Sequence, residues 1–182
     1  MKVLGVLLMV LLLAYAFTGL QDVRADEADE DYKFGLKYFK GDGVTQNYTE
    51  ALKWFKKSAD EGYAKSQYAI GVMYDNGNGV TQNHAEALKW YQKAANQGYA
   101  KAQANIAAMY YEGQGVSQNY QEAFNWLMKA AAQGYDDAQY NISLMYGKGQ
   151  GVTQNKAEAI KWLHKAANQG HQKAKELLQK LQ

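Results

Sequence analysis

Hydrophobic residues between positions 63 and 98 recur at helical spacing in two separate runs. The first run predicts a helix over residues 64–76, and the second predicts a helix over residues 84–96. Their apolar stripes are Ser66, Ile70, Met73 and Tyr74 in the first, and Ala87, Trp90, Tyr91, Ala94 and Ala95 in the second. We expect Trp90 to fill the gap between the two helices. Neither helix can bury its stripe alone, so such pairs must stack on one another.

A glycine-rich loop separates the two runs and returns along the chain at a constant interval. Gly43, Gly79, Gly115 and Gly151 are spaced 36 residues apart. A period of this size is typical of stacked-repeat proteins. Glycine ends a helix easily, and an Asn followed three residues later by Glu predicts a capping box that starts the next one. The four predicted boxes are Asn47/Glu50, Asn83/Glu86, Asn119/Glu122 and Asn155/Glu158.

The period divides the chain into four helix pairs and a final half-unit. The predicted repeats are residues 26–62, 63–98, 99–134 and 135–170. Residues 171–182 have no Gly-x-Gly and no Trp, and predict a capping helix that covers the last stacked face. The stripe of this helix is Ala174, Leu177, Leu178 and Leu181. The acidic run that opens the first repeat, residues 26–31, suits a helix N-terminus, where carboxylates oppose the helix dipole.

The motif Ala-x-x-Trp-(Tyr/Phe/Leu)-x-Lys-(Ala/Ser)-Ala-x-(Gln/Glu)-Gly, with Gly-x-Gly-Val upstream, begins at Ala51, Ala87, Ala123 and Ala159. In these residues the chain resembles the Sel1-like repeat family, relatives of the tetratricopeptide repeat. The usual Pro after Gly-Val is Thr or Ser here. The resemblance implies an all-α fold, an α-α superhelix (solenoid) of four repeats with a C-terminal capping helix.

The first 25 residues have the pattern of a secretory signal peptide. Lys2 gives a basic start, residues 3–17 are almost wholly apolar, and a polar stretch follows. We expect cleavage after Ala25, although Ala14-Tyr15-Ala16 is a second possible cleavage point. An uncleaved membrane anchor is the alternative, but the apolar run is shorter than the roughly 20 residues that a membrane span needs. The expected location is periplasmic or secreted.

The composition excludes several kinds of chemistry. The net charge is +2 with basic and acidic residues well mixed, which argues against nucleic-acid binding. No cysteine is present, so disulfides and zinc-thiolate sites are excluded. The Gly-x-Gly loops lack the Lys-Ser/Thr of a phosphate loop. His84, His164 and His171 have no carboxylate placed to complete a metal site. We predict no cofactor, no metal and no enzyme activity.

A binding surface is predicted on the first helices of the repeats, which line the concave face in superhelical stacks of this type. Aligned positions give a strip of Tyr32, Tyr68, Ala104 and Tyr140. Ala104 and Ala108 interrupt the larger side chains and predict a pocket. The candidate partner-binding residues are Tyr32, Tyr68, Asn76, Asn105, Glu112, Tyr140, Asn141 and Leu144. Alternatively, the tyrosines only pack between neighbouring helices.

Three functions fit these features. The first is a non-catalytic adaptor in the bacterial envelope, or secreted, that binds a peptide or protein through Tyr and Asn side chains. The second is an immunity or effector-neutralising protein with one dedicated partner. The third is an enzyme, because a cysteine-rich branch of the family is linked with β-lactam hydrolysis. This chain lacks the cysteines of that branch and has no Ser-x-x-Lys motif.

Overall fold

The computed structural model describes residues 23–181, which contain nine helices and no strand. The helices are α1 (23–40), α2 (Tyr48–Asp60), α3 (Ala64–Asn76), α4 (His84–Asn96), α5 (Ala100–Glu112), α6 (Tyr120–Ala132), α7 (Asp136–Lys148), α8 (Lys156–Asn168) and α9 (Gln172–Lys180). The helices predicted over 64–76 and 84–96 are confirmed. The described residues form two compact units, one up to Ser66 and the other from Gln67 onward.

In the first unit, α1 and α2 pack through small residues and one aromatic ring. Gly35 lies directly against the ring of Phe55, which is buried. The Ser58 hydroxyl donates to the Ala28 carbonyl at 2.6 Å. Lys57 Nζ lies 2.9 Å from Asp31 Oδ1.

Two residues of the acidic run form specific bonds that the sequence did not indicate. Asp29 pairs with Lys33 at 2.6 Å and accepts from the Tyr63 hydroxyl, and Asp31 pairs with Lys57.

The second unit repeats one packing scheme. Each helix packs on its neighbours in sequence, α4 on α5, α5 on α6, and so on to α9. Ile70, Met73 and Tyr91 have no exposed surface. The expected role of Trp90 is wrong: Trp90 is half-buried, and the Lys93 ammonium lies 3.8 Å from the centre of its ring. Tyr91, the next residue, fills the gap between α3 and α4, because Gly71 leaves room for its ring.

The predicted helix caps are present in all four repeats. The Asn119 side chain accepts from the Glu122 N–H at 3.1 Å, and Asn47, Asn83 and Asn155 do the same. The glutamates differ from the capping-box prediction: their carboxylates pair with a lysine three residues on in three of the repeats, as Glu86 does with Lys89 at 2.9 Å. The glutamates pair in this way because their carboxylates lie along the helix surface, within reach of the lysine.

The Gly-x-Gly loop has a second role that the sequence pattern did not indicate. Its first glycine is the left-handed cap of the preceding helix, as at Gly149 with φ +70°. Its second glycine, Gly151 with φ +68°, lies against the backbone at Tyr120, at the start of the previous repeat's second helix. Any side chain there would collide with that backbone, so the loop is also a contact between repeats.

A ladder of glutamine pairs, each with one buried and one exposed member, joins successive repeats of the second unit. Gln133 Nε2 donates to Gln103 Oε1 at 2.9 Å, and Gln103 Nε2 donates to the Ala95 carbonyl at 3.3 Å. The same amide pair recurs one repeat before and one repeat after, at 2.8 and 2.7 Å. Because Gln103 is only 5% exposed, these bonds satisfy a side-chain amide that burial would otherwise penalise.

The predicted C-terminal helix is present as α9. Ala174 is buried, and Leu177 and Leu178 pack against the cluster around Leu163. Leu181 was predicted to belong to the stripe, but it is 59% exposed because α9 ends at Lys180.

The predicted signal segment lies almost wholly outside the described residues. Positions 23–25 form part of α1 and are exposed. Within residues 23–181, no helix combines the length and apolar character needed to cross a membrane.

Candidate functional site

Two adjoining cavities of the second unit form a groove between α5 and α7, the first helices of the third and fourth predicted repeats. One has a volume of about 250 Å³ and the other about 640 Å³. They share Ala104, Ala108 and Asn141. We call the two cavities together the groove, and name them the inner cavity and the outer cavity. The pocket predicted at Ala104 and Ala108 is therefore present.

The groove exists because the third repeat carries alanine where its neighbours carry larger side chains. Ala104 corresponds to Tyr68 and Tyr140, one period away on either side. Ala108 likewise corresponds to Val72 and Leu144. In a close-packed helical stack, losing the side-chain atoms of a tyrosine leaves space that the backbone cannot close. The site is thus a feature of one repeat and not of the repeating scaffold.

The inner cavity has an apolar floor and a polar rim. Its floor includes Ala107, Leu127 and Met145, which are buried. Its rim carries Glu112 and Lys148, both exposed and of opposite charge. At this end Tyr111 donates from its hydroxyl to Gln150 Oε1 at 2.9 Å, linking the third repeat to the loop of the fourth. The floor can accept an apolar side chain of a ligand, and the rim can bond to the polar groups of a ligand's backbone.

The outer cavity is more polar. Tyr135, Tyr140 and His171 contribute rings to its lining, and Asp136 and Asp137 contribute carboxylates. The His171 ring stacks on Tyr140, with centroids 4.6 Å apart and planes 22° from parallel. Burial, followed by the bond to Asp137, raises the pKa of the Tyr135 hydroxyl. This hydroxyl therefore stays a neutral donor across the physiological range.

His171 also holds the start of α9. Its Nδ1 accepts from the Ala174 N–H at 3.1 Å, and its Nε2 lies 3.2 Å from Asp137 Oδ1. His84 Nδ1 similarly lies 2.7 Å from Asp75 Oδ1. The sequence did not indicate these carboxylate partners, because Asp137 lies 34 positions before His171 and meets it only through folding. Within residues 23–181 no group of three metal-ligating side chains occurs.

The structure brings five of the eight predicted site residues to the groove. They are Asn105, Glu112, Tyr140, Asn141 and Leu144. Asn141 is exposed and lines both cavities. The other three do not line it: Tyr32 lies in the first unit, Asn76 is exposed elsewhere on α3, and Tyr68 packs beside Asn105.

Tyr68 and Asn105 belong to a hydrogen-bonded aromatic cluster. The rings of Tyr91 and Tyr99 lie 5.6 and 5.2 Å from that of Tyr68. The Asn105 side chain hydrogen-bonds to the hydroxyls of Tyr68 and Tyr91. Burial raises the pKa of both tyrosines, and the nearby Asp75 carboxylate raises that of Tyr91 further. Tyr68 therefore packs between helices, as the alternative interpretation of these tyrosines states.

Several residues that line the groove were not among the eight predicted site residues. Tyr111, Gln150, Tyr135, Asp137 and His171 are examples. Tyr135 carried a usable signal, because an aromatic residue opens repeats two to four and the capping helix at the same position, at Tyr63, Tyr99, Tyr135 and His171. Gln150 carried none, since its place in the loop is shared by residues of several types.

Comparisons with known proteins agree with this architecture. The Sel1 repeat model matches residues 32–63, 64–99, 100–135 and 136–171. A protective antigen of uropathogenic Escherichia coli strains, described as having an SLR fold, has a similar structure: TM-score 0.77, 40% identity, over 82% of this chain and 32% of that one. A Sel1 repeat protein from Oxalobacter formigenes matches with TM-score 0.75 and 37% identity, over 81% of this chain and 60% of that one.

The chain thus spans about a third of the first of these proteins and three-fifths of the second. Cysteine-rich protein B of Helicobacter pylori, at 20% identity and TM-score 0.57, covers 72% of this chain and 97% of its own length, and shares the fold. No match was found among curated proteins.

Sel1 repeats typically mediate protein interactions, and the family is generally a non-catalytic scaffold. The predicted fold class, an all-α superhelix of four such repeats with a C-terminal helix, is confirmed. With four matched repeats over residues 32–171, this chain belongs to the Sel1 repeat family.

Proposed function

We propose that this protein is a non-catalytic adaptor that binds an extended peptide segment of a partner protein in the groove between α5 and α7. The observation that carries this proposal is the pair of adjoining cavities at Ala104 and Ala108, where the third repeat departs from its neighbours. At Ala104 and Ala108 the small side chains leave open space instead of admitting a neighbouring side chain of the protein. The remaining repeats fill the equivalent positions with their own side chains.

The chemistry of the groove suits a peptide backbone with alternating side chains. The Asn141 amide offers both a donor and an acceptor to peptide groups and is exposed between the two cavities. The inner floor accepts an apolar side chain, while Glu112 and Lys148 can pair with charged flanks. A pocket with a mostly apolar lining and a few placed polar groups is the usual form of a recognition site.

We further propose that the protein acts outside the cytoplasm, in the bacterial envelope or after secretion. The basic start and apolar run of residues 1–17 support export. The related protein from Escherichia coli is described as a protective antigen, which agrees with an exported protein. Residues 1–25 would then be removed. Determination of the N-terminal residue of protein isolated from the periplasm checks this: Asp26 is expected, and a chain retained in the membrane with its original N-terminus contradicts it.

Binding is tested with two asparagines on neighbouring helices. Asn141→Arg places a long charged side chain in the groove, whereas Asn125→Arg makes the same change on the exposed surface of α6. A phage-displayed library of random twelve-residue peptides is selected on the unmodified protein. Affinities of the enriched peptides for the three proteins are then measured by calorimetry.

We expect the enriched peptides to bind Asn125→Arg as they bind the unmodified protein, and to lose at least about tenfold in affinity for Asn141→Arg. Equal affinity for all three proteins would place binding elsewhere and contradict the proposal. So would the failure to enrich any peptide. Circular dichroism of both variants shows whether either change has disturbed the helices.

A further inference from the structure

An aromatic pair recurs between residues that lie 31 positions apart, except at the groove. In the first unit the rings of Tyr32 and Tyr63 are 5.5 Å apart. In the second unit Tyr68 pairs with Tyr99 at 5.2 Å, and Tyr140 pairs with His171 at 4.6 Å. The fourth member of this series would join position 104 to Tyr135, but position 104 is alanine.

The place of the missing ring is empty space. Ala104 and Tyr135 both line the outer cavity, which has a volume of about 640 Å³. Tyr135 is half-buried and packs against the hydrophobic cluster of the third and fourth repeats. Asp137 lies close enough to the Tyr135 hydroxyl to raise its pKa, after burial, which is the larger cause. The next ring, Tyr140, is already stacked on His171. In this series Tyr135 therefore faces Ala104, where the other members of the series face a second aromatic ring.

We propose that an aromatic side chain of the bound peptide occupies the space above Ala104 and pairs with the ring of Tyr135. This inference rests on the proposed function and specifies its ligand: an extended peptide that carries Phe, Tyr or Trp. Three equivalent positions of this same fold show that the geometry accommodates two rings. Pairs of aromatic rings are also stabilised beyond the area that they bury, which distinguishes an aromatic guest from an aliphatic one.

The neighbouring cavity determines what should flank the aromatic residue. Asn141 lies between the outer and inner cavities, within reach of a peptide group on either side. The inner cavity has an apolar floor with Leu127 and Leu144. The peptide therefore carries its aromatic residue over Ala104 and a smaller apolar residue one or two positions away, towards Leu144.

Ala104→Tyr tests the inference by completing the series within the protein. Ala132→Tyr is its matched control, because Ala132 is exposed at the end of α6. Peptides from the random twelve-residue library are selected on the unmodified protein. The affinity of each enriched peptide is measured for the unmodified protein and for both variants. It is measured again after the aromatic residue of the peptide is changed to Leu.

We expect every enriched family of peptides to contain an aromatic residue, and its change to Leu to weaken binding about three- to tenfold. Ala104→Tyr should weaken binding at least about tenfold, and Ala132→Tyr should leave it unchanged. Enriched peptides that lack an aromatic residue, yet lose affinity with Asn141→Arg, overturn this inference and leave the proposed function standing. Peptides that are indifferent to Asn141→Arg overturn both.

A second measurement needs no substitution, and so remains decisive if Ala104→Tyr fails to fold. N-Acetyl-phenylalaninamide and N-acetyl-leucinamide are titrated into the unmodified protein and followed by nuclear magnetic resonance. The expected result is a nuclear Overhauser contact between the phenylalanine ring protons and Tyr135, with much smaller shifts from the leucine compound. Equal shifts from both compounds, or contacts only with rings other than Tyr135, would overturn the inference.

Discussion

Gly71 in α3 lies directly against the ring of Tyr91 in α4, so that a Cβ atom at position 71 would be 2.5 Å from Tyr91 Cδ1. Glycine weakens a helix interior by about 1 kcal/mol relative to alanine. Its presence here is explained by the size of the partner ring. At the equivalent positions the following repeats pair Ala107 with Leu127, and Ser143 with Leu163. In both pairs a residue larger than glycine faces a residue smaller than tyrosine. The distance between the two helices is thus kept because a larger side chain on one helix is compensated by a smaller one on the other.

We predict that Gly71→Ala destabilises the protein by about 1–3 kcal/mol, because overpacking a buried ring outweighs the gain in helix propensity. Gly147→Ala is the matched control: it lies in α7, and a Cβ there meets no atom within 4 Å. That change should stabilise the protein by up to about 1 kcal/mol. Urea unfolding of both variants measures the difference, and two shifts of the same sign would contradict the packing argument.

The same pair gives a rescue experiment. Adding Tyr91→Leu to Gly71→Ala recreates the combination found at Ala107 and Leu127. The double variant should be more stable than the sum of the two single changes predicts, by about 0.5–3 kcal/mol of coupling. Strict additivity would show that Gly71 and Tyr91 do not constrain each other.

A second prediction concerns the helix caps. Asn119→Ala removes the acceptor of the Glu122 N–H and should cost about 1 kcal/mol, within the usual range of 0.5–2 kcal/mol. Asn119→Asp retains an acceptor and should be close to neutral. Asn125→Ala, in the exposed middle of the same helix, should change stability by less than about 0.5 kcal/mol. Thermal unfolding of the three variants ranks them, and equal losses at positions 119 and 125 would refute the capping role.

A third prediction concerns the glutamine ladder. Gln103→Leu removes two hydrogen bonds of a buried side chain, the one that it accepts from the exposed Gln133 amide and the one that it donates to the Ala95 carbonyl. We expect a loss of about 1–3 kcal/mol in the free energy of unfolding. Gln114→Leu, at an exposed loop position, is the control. A similar effect of the two changes would mean that the ladder adds nothing beyond packing.

A fourth prediction follows from the pKa of Asp29. Bonds from Lys33 and from the Tyr63 hydroxyl lower this pKa below its ordinary value of 3.8. Because the folded-state pKa lies below the unfolded one, the stabilisation is present above pH 3.8 and is lost as the pH falls below it. The difference in melting temperature between the unmodified protein and Asp29→Asn should therefore be largest near neutral pH and shrink in that acidic range.

Asp26→Asn, at an exposed position of the same helix, provides the charge-matched control. A gap between the unmodified protein and Asp29→Asn that stays constant, or widens, on acidification would contradict the assigned bonds. The effect should also be modest and sensitive to salt, since the Asp29 and Lys33 side chains are 36% and 69% exposed.

The amino-acid sequence by itself determined the helices, their caps and the repeat. The bounds of α3 and α4 follow from hydrophobic spacing, from Asn83 as a side-chain acceptor and from glycines that adopt left-handed conformations. These are local effects that act within one helical turn, so a short window of sequence contains them. The small residue at position 104 could also be recognised from the sequence, because any residue that departs from a strict period stands out in the aligned repeats.

Only the tertiary structure decided which side chains meet across the repeats. Tyr91 and not Trp90 fills the space beside Gly71, Asp137 meets His171, and Gly151 contacts the backbone at Tyr120. The eight site candidates were likewise separated into five that line the groove and three that do not. Residues 20 or more positions apart, such as Gly71 and Tyr91, come together only through the distance and rotation between stacked helices. Hydrophobic periodicity shows which face of a helix is buried, but not which residue lies against it.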